Sequence, residues 1–278
     1  MAVKSKGEAG ENPLVPNATL RTLYGTMLEA RKLEEAIAAK ARGSKLKISS
    51  IRGEEAIRAS SVLQLGQEDL VSDVTAGPGM GLLLGAEPRE LLKAYTSTKK
   101  NHLPAISRLL APISEPLRRL EVALGAAYAL KAQQKQGVVV AFIPRLDLSD
   151  AQYRRILRPA ASNELPLILV VLPSSKTGGS HALISKVSGK AGVPGIPVDA
   201  SDSVALYRVV QESLGRTRGG DGPVLIECVR WKPVGGKVSA ATQDPITYLA
   251  HFLLGKKIVS EKWLIQADRI AGKRLSPR

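Results

Sequence analysis

The sequence predicts an α/β fold: a mostly parallel sheet with helices on both faces. Runs of aliphatic residues such as Val138–Ile143 and Leu165–Leu172 are continuous rather than alternating, which is typical of strands that are buried on both faces. Segments with helical periodicity separate these runs, and strands that alternate with helices form parallel sheets. At 278 residues, with 44% hydrophobic but only 4% aromatic residues, the chain is long enough for one large domain with an aliphatic core.

Helices dominate the first half of the predicted fold. Leu20, Leu23 and Met27 place apolar residues at helical spacing within the helix Thr19–Ala41. The second helix, Gly53–Leu65, carries two glutamates near the positive end of its dipole. The other elements predicted here are a strand at Asp69–Ser72, a glycine-rich connection at Gly77–Gly85, a helix at Pro88–Lys93, an irregular segment at Lys99–Ser114 and a long helix at Glu115–Lys135.

Strand–helix alternation is clearest in the second half. The strand Val138–Ile143 is followed by the loop Pro144–Ser149, the helix Asp150–Asn163 and the strand Leu165–Leu172. The elements that follow are the mixed segment Thr177–Lys190, a short strand at Pro197–Asp199, a helix at Ser201–Arg218 capped by Ser201 or Asp202, a strand at Pro223–Val229, a loop at Lys232–Asp244, and helices at Pro245–Leu254 and Ser260–Ile270. We therefore expect a disordered tail at 1–18, one α/β domain at 19–244, and C-terminal helices with a basic tail at 245–278.

The composition limits the possible partners and compartment. The net charge of +15 raises the possibility of nucleic acid, but the basic residues occur only in pairs such as Lys99-Lys100 and lack aromatic residues for base stacking. A solvated basic surface is therefore favoured over a nucleic-acid face. The single cysteine, Cys228, lies in an apolar run and fits a small core residue in a reducing, cytoplasmic compartment. No run of residues approaches the length of a membrane span.

Three apparent motifs favour structural interpretations. Gly77-Pro78-Gly79 lacks the strong preceding strand of a dinucleotide site, and Pro78 removes a backbone donor. Gly220-Asp221-Gly222 precedes a strand, at the end of the sheet opposite to a ligand site, and is predicted to be a turn. The histidines, His102, His181 and His251, are too scattered for a metal cluster.

The order of segments resembles the alpha subunit of the thiamine-diphosphate-dependent 2-oxo acid dehydrogenases. The stretches that carry the resemblance are Leu23–Glu35, Arg52–Ala56, Asn163–Pro166, Gly195–Asp202 and Gly222–Glu227. The resemblance implies a thiamine-diphosphate-binding fold, a thiamine diphosphate and magnesium site, and a beta-type partner subunit. It also implies that a Gly-Asp-Gly turn and an asparagine after the next strand would hold the magnesium ion.

The residues at these implied site positions differ from the family pattern. Pro144, Arg145 and Leu146 replace the metal-binding turn, Ser149 follows a little later, and Pro173-Ser174 replaces the asparagine. Lys237 occupies the position of a family histidine, and Thr75–Gly79 lacks the tyrosine–arginine pair expected for the diphosphate. An arginine offers donors and a fixed positive charge, whereas magnesium requires oxygen ligands. We therefore expect neither cofactor to bind.

Three hypotheses for the function remain open at this point. The favoured one is a non-catalytic alpha-type pseudoenzyme that keeps the fold and acts as a structural or regulatory partner of a beta-type subunit or of itself. In the second, Arg145, helped by Lys237, binds a phosphate or carboxylate directly. In the third, the basic surface binds nucleic acid, in a manner that weakens with salt.

Overall fold

A five-stranded, fully parallel sheet forms the centre of the computed structural model, which describes residues 11–40, 49–74, 77–97, 106–174, 183–230 and 244–275. The strands are β1 (Leu70–Ser72), β2 (Val139–Pro144), β3 (Leu167–Leu172), β4 (Gly195–Asp199) and β5 (Val224–Val229). Their order in the sheet is β1-β2-β3-β5-β4, with every neighbouring pair parallel. The predicted strands and their parallel arrangement are confirmed.

Helices cover both faces of this sheet, as predicted. The first face packs against α1 (Asn17–Lys40), α2 (Glu55–Val62), α3 (Pro78–Leu83), α8 (Ser203–Arg218), α9 (Pro245–Gly255) and α10 (Glu261–Leu275). The second face packs against α5 (Pro116–Ala132), α6 (Asp150–Ser162) and α7 (Ile184–Gly189). The helix α4 (Pro88–Thr96) packs on α1 instead. Consecutive strand residues point to opposite faces, so Val140 and Phe142 join the first core while Ala141 and Ile143 join the second.

Side-chain caps fix where several of these helices begin. The Ser149 hydroxyl accepts from the Gln152 backbone N–H while the Gln152 side chain accepts from the Ser149 N–H, which is a capping box at the start of α6. Of the two residues predicted to cap α8, Ser201 and Asp202, it is Asp202 whose side chain accepts from the first N–H groups of the helix. Glu115 caps α5 in the same way. Caps of this kind satisfy backbone donors that the helix itself leaves unpaired.

The glycine-rich segments have structural roles. Part of Gly77–Gly85 is the helix α3, and a Cβ at Gly79 would lie 2.4 Å from a Glu34 carboxylate oxygen and 2.7 Å from Ile51. The glycine therefore permits close packing against α1. Gly220 and Gly222 have positive φ angles in the turn before β5, at the amino edge of the sheet, as the turn prediction requires.

The ends of the chain differ from the predicted boundaries. Within the predicted tail 1–18, Val15 is fully buried, Asn17 begins α1, and the Asn17 N–H donates to Glu11 at 2.6 Å, whereas Leu14 is exposed. At the other end, Leu249, Leu253 and Ile258 belong to the same core as β2 and β3. The C-terminal helices thus share a core with residues 19–244, because α9 packs against α1 and α2 and α10 packs against α1.

Candidate functional site

The loops after β2 and β3 meet at the carboxyl edge of the sheet. Pro144, the last residue of β2, pairs in register with Leu172, the last residue of β3. Arg145 and Leu146 therefore begin a 3-10 turn (Arg145–Asp147) beside Pro173 and Ser174. Ligands of parallel α/β sheets bind outside this edge. The structure thus brings the two implied metal-binding positions together, as the spacing predicts.

An ion pair crosses this edge between β2 and β5. The Arg145 guanidinium nitrogen Nη1 lies 3.4 Å from Oε1 of Glu227, and because β3 lies between β2 and β5, the pair extends across the end of β3. The Glu227 side chain is 0% exposed and that of Arg145 is 14% exposed. The other Glu227 oxygen, Oε2, accepts from the Ser185 N–H at the start of α7 at 2.8 Å. The positive charge at the implied metal position therefore has a negative partner within the chain.

The other residues of this loop have structural contacts or face solvent. The Tyr153 hydroxyl donates to the Arg145 carbonyl at 3.4 Å, and burial raises the pKa of this tyrosine, helped by the nearby Asp147 carboxylate. Ser149 is the cap of α6 described above. Leu146 is 58% exposed, so an apolar side chain occupies the outer surface of the loop. Ser174 lies two residues beyond β3 and is half-buried.

The described residues here do not suit magnesium. Pro144 and Leu146 offer no side-chain oxygen, and the Arg145 side chain has only donors. Asp147 is an exposed carboxylate, and within the described residues no group of three or more acidic, histidine or cysteine side chains could hold a metal ion. Magnesium is bound through oxygen atoms in near-ideal octahedral geometry. The described side chains that replace the metal-binding turn therefore offer no oxygen ligand for magnesium.

A second ion-pair cluster lies at the carboxyl end of β1. Asp73 directly follows β1 and pairs with the Arg58 guanidinium from α2, which also donates to Glu54 Oε2 at 3.0 and 3.1 Å. The guanidinium carbon lies 4.9 Å from the centre of the Phe142 ring on β2. Burial acts to lower the pKa of Arg58, but the Asp73 and Glu54 carboxylates outweigh it and the pKa is raised. This arginine is thus held charged inside the fold.

Several residues that carry the family resemblance join helices to one another. Arg31 of α1 donates from Nε to Glu55 of α2 at 2.7 Å and pairs with Asp244, the cap of α9. Glu34 accepts from the Ile51 N–H at 3.0 Å and from the Ser50 hydroxyl. These charged residues therefore stabilise the arrangement of α1, α2 and α9, and the motif they form is part of the scaffold.

Some predicted positions lie outside the described residues. These are Lys237, His102, His181, Thr75 and Ala76. Most of the predicted loop at 232–244 and parts of the segments at 99–114 and 177–190 also lie outside them. His251 is exposed on α9, and Cys228 is buried in β5, where burial raises its thiol pKa as expected for a core residue.

Sequence reasoning missed Glu227, Asp73 and Arg119 as residues of this edge. A signal exists for Glu227, because a lone glutamate within the apolar strand Val224–Val229 must have a buried partner. No comparable signal marks Asp73 or Arg119, since their burial depends on how the helices pack.

Comparison with known proteins matches most of the chain to one family. The family described as the dehydrogenase E1 component matches residues 24–248. The alpha subunit of 3-methyl-2-oxobutanoate dehydrogenase from Mycobacterium tuberculosis is 30% identical over 244 residues, which cover 84% of this chain and 65% of that protein. The alpha subunit of the pyruvate dehydrogenase E1 component from Staphylococcus aureus is 28% identical over 258 residues, which cover 87% of this chain and 68% of that protein. The chain thus spans slightly less than two thirds of the mycobacterial relative.

A solved structure is also similar in part. It is the X-ray structure of a protein from Mycobacterium smegmatis described as a thiamin diphosphate-dependent enzyme. The two share 16% sequence identity with a TM-score of 0.41, over 63% of this chain and 31% of that one. Among the described residues, no helix is long and apolar enough to cross a membrane.

Proposed function

Because the chain belongs to the dehydrogenase E1 component family, we propose that it is a non-catalytic alpha-type subunit with a structural or regulatory role. The observation that carries the proposal is the Arg145–Glu227 ion pair at the carboxyl edge. At the position where the family would bind a divalent cation, this chain has a guanidinium group and its own carboxylate counterion. A second positive charge placed beside Arg145 would be repelled.

We also propose that the chain needs neither thiamine diphosphate nor magnesium for its role. The absence of side-chain oxygens at Pro144, Arg145 and Leu146 supports this. The alternative in which Arg145 binds an external anion gains no support from the geometry, because such an anion would compete with a fully buried Glu227 for the same guanidinium.

A subunit needs a surface for its partner, and the outer face of α5 has the expected composition. Val122 is 42% exposed and Tyr128 is 39% exposed. Gly125 and Ala129 are exposed on the same face of the helix. A Cβ added at Gly125 would meet no atom within 4 Å. A glycine inside a helix costs about 1 kcal/mol relative to alanine, so a glycine that the chain's own packing does not require suggests close approach by another chain.

The occupant that we propose for this face is a beta-type subunit. The relatives from Mycobacterium tuberculosis and Staphylococcus aureus are alpha subunits, a name that implies a second kind of subunit beside them. Self-association through the same face is the alternative outcome. The single buried cysteine fits a reducing compartment, and we propose the cytoplasm, which cell fractionation would check.

Reconstitution of activity tests the proposed function. The purified chain is mixed with beta-type subunits, thiamine diphosphate and magnesium, and decarboxylation of pyruvate and of 3-methyl-2-oxobutanoate is measured. We expect a complex without turnover, because Pro144, Arg145 and Leu146 offer no side-chain oxygen to the cofactor's metal. The matched control is the alpha subunit of the mycobacterial relative with the same beta subunits. Turnover by this chain that depends on thiamine diphosphate would overturn the proposal.

A further inference from the structure

The guanidinium of Arg119 is buried, and its hydrogen bonding is incomplete. The residue is 1% exposed, and its Nη1 donates to the Ile113 carbonyl at 2.8 Å. Its other two nitrogens, Nε and Nη2, are buried, and no described protein atom accepts from either of them. Among the described residues, no carboxylate forms an ion pair with this side chain. Burying a charged group whose N–H donors have no acceptor costs free energy. A bound group that accepts hydrogen bonds from Nε and Nη2 would therefore stabilise the buried guanidinium.

The two unpartnered nitrogens are the pair that recognises oxyanions. In a guanidinium group, the Nε–H bond and one Nη2–H bond point in the same direction, so together they form a fork that matches two oxygens of a carboxylate or phosphate. The hydrogen bond to Ile113 uses the third nitrogen. That bond fixes the orientation of the group and leaves the fork available.

Arg119 also lies at the edge of the sheet where ligands bind. It is in the first turn of α5, which packs against β1 and β2. Asp73, which follows β1, and Asp147, in the turn after β2, are close enough for their charges to act on it. Burial lowers the pKa of Arg119, and the effect of these carboxylates is too weak to reverse it. Asp73 is already paired with Arg58.

Exposed residues lie close to Arg119. Glu115 and Asp147 are exposed, and the charges of both act on its guanidinium.

We infer that Arg119 binds a small carboxylate or phosphate anion at the carboxyl edge between β1 and β2, through its Nε and Nη2 atoms. The anion would be held by the guanidinium directly, with no metal ion between them. The inference does not depend on the proposed subunit role, because it concerns a different arginine from Arg145 and requires neither a beta-type subunit nor turnover.

Titration of the purified chain with inorganic phosphate and with acetate, at constant ionic strength, tests the inference. The affinity is measured by calorimetry and by the shift in melting temperature, for the wild type and for Arg119→Lys. The substitution keeps the positive charge but removes the fork. Since one charge-assisted hydrogen bond contributes about 1.5–3 kcal/mol, we expect the variant to bind at least ~10-fold more weakly. The matched control is Arg118→Lys, an exposed neighbour, which should bind as the wild type does.

A second variant covers the case in which lysine does not fold at this buried position. Arg119→Gln removes the uncompensated charge and keeps an amide that can donate to the Ile113 carbonyl, so it should fold and lose anion binding. A response to phosphate alone, to acetate alone or to both supports the inference and identifies the class of anion. Equal affinity in the wild type and in the Arg119 variants, or no binding of either anion to the wild type, would overturn it.

Discussion

Buried arginines determine the electrostatics of the carboxyl edge. Arg58 contacts Asp73 after β1, Arg145 contacts Glu227 on β5, and Arg119 lies between the ends of β1 and β2. A guanidinium keeps its charge across the physiological pH range, whereas a histidine does not. The edge therefore carries three fixed positive charges. Two of them, Arg58 and Arg145, form ion pairs with carboxylates, whereas Arg119 has no ion-pair partner among the described residues. Arg119 is thus the group at this edge that could attract an anion.

The Arg145–Glu227 pair should respond asymmetrically to substitution. Arg145→Met leaves a fully buried carboxylate without an opposing charge, and we expect it to lower the free energy of unfolding by about 3–5 kcal/mol. Glu227→Gln leaves an arginine that can reach solvent, and glutamine still offers an oxygen to the Ser185 N–H, so we expect a loss of about 1 kcal/mol. Urea denaturation of both variants and of the double variant measures the difference.

The double variant is the internal control for this prediction. Its cost should be smaller than the sum of the two single costs, because the partners contact each other. Equal losses in the two single variants, or strict additivity, would show that the ion pair does not stabilise the fold as described.

Local side-chain chemistry can be predicted from the sequence more readily than long-range pairing. The sequence predicts Ser201 or Asp202 as the cap of α8, because each has a short side chain with an acceptor oxygen just before an apolar helical pattern. In the structure, Asp202 is the cap. The sequence identifies Arg145 as a cation at the implied metal position but does not reveal its partner, since Glu227 is far away in sequence and adjacent only in the folded sheet. Residue spacing specifies which loops meet, and packing specifies which side chains pair.

At the level of elements, α5 differs from an ordinary surface helix. Its buried face, with Leu120, Ala123 and Ala127, packs on β2. Its outer face is also apolar from Val122 to Ala129. Exposed large apolar side chains such as Val122 and Tyr128 are typical of a surface that another chain covers, and no described residue of this chain buries them.

Gly125→Leu tests whether another chain covers that face. Leucine has a better helix propensity than glycine, and no described atom lies within 4 Å of a Cβ at this position, so the free chain should be as stable as the wild type or more stable by up to ~1 kcal/mol. Association with a beta-type subunit should be lost, because a close helix approach would be blocked. Analytical ultracentrifugation of mixtures, together with the melting temperature of the free chain, measures both effects.

The matched control is Gly215→Leu. Gly215 is also exposed and lies inside α8, and a Cβ at this position would likewise meet no atom within 4 Å, but its neighbours Glu212 and Arg216 are charged. This variant should associate as the wild type does. Unchanged association of Gly125→Leu would remove α5 from the proposed interface.

The elements themselves are predictable where a pattern is periodic and uninterrupted. The strands β2, β3 and β5 follow from aliphatic runs, because both of their faces are covered. The order just before α1 is not predictable in this way. It depends on hydrogen bonds that the side chains of Glu11 and Asn12 accept from the Asn17 and Val15 N–H groups, and a polar, proline-containing sequence gives no sign of them. The isolated parallel bridge between Val71 of β1 and Leu109 is not predictable either. It pairs single residues, so it leaves no periodic pattern in the sequence.

On the scale of the whole molecule, salt bridges between distant elements hold the basic side chains in place. Arg218 of α8 pairs with Asp69 before β1, Lys32 pairs with Asp268 of α10, and Arg274 pairs with Glu29 of α1. The excess of +15 nevertheless remains after such pairing. The charged partners come from several elements of the described structure, and along the chain the basic residues occur in pairs rather than in one tract.

A basic excess without a continuous basic tract predicts weak binding to nucleic acid without sequence preference. At ~50 mM salt we expect association with duplex DNA, driven by counterion release, and at ~200 mM salt we expect its loss. Heparin, which is a polyanion without bases, should compete as well as DNA does, because the sequence offers no aromatic ladder for stacking. Fluorescence anisotropy over a salt series, with two unrelated DNA sequences and heparin as competitor, measures this. Submicromolar, sequence-selective binding at physiological salt would contradict the proposed subunit role, because it would require a dedicated base-reading surface.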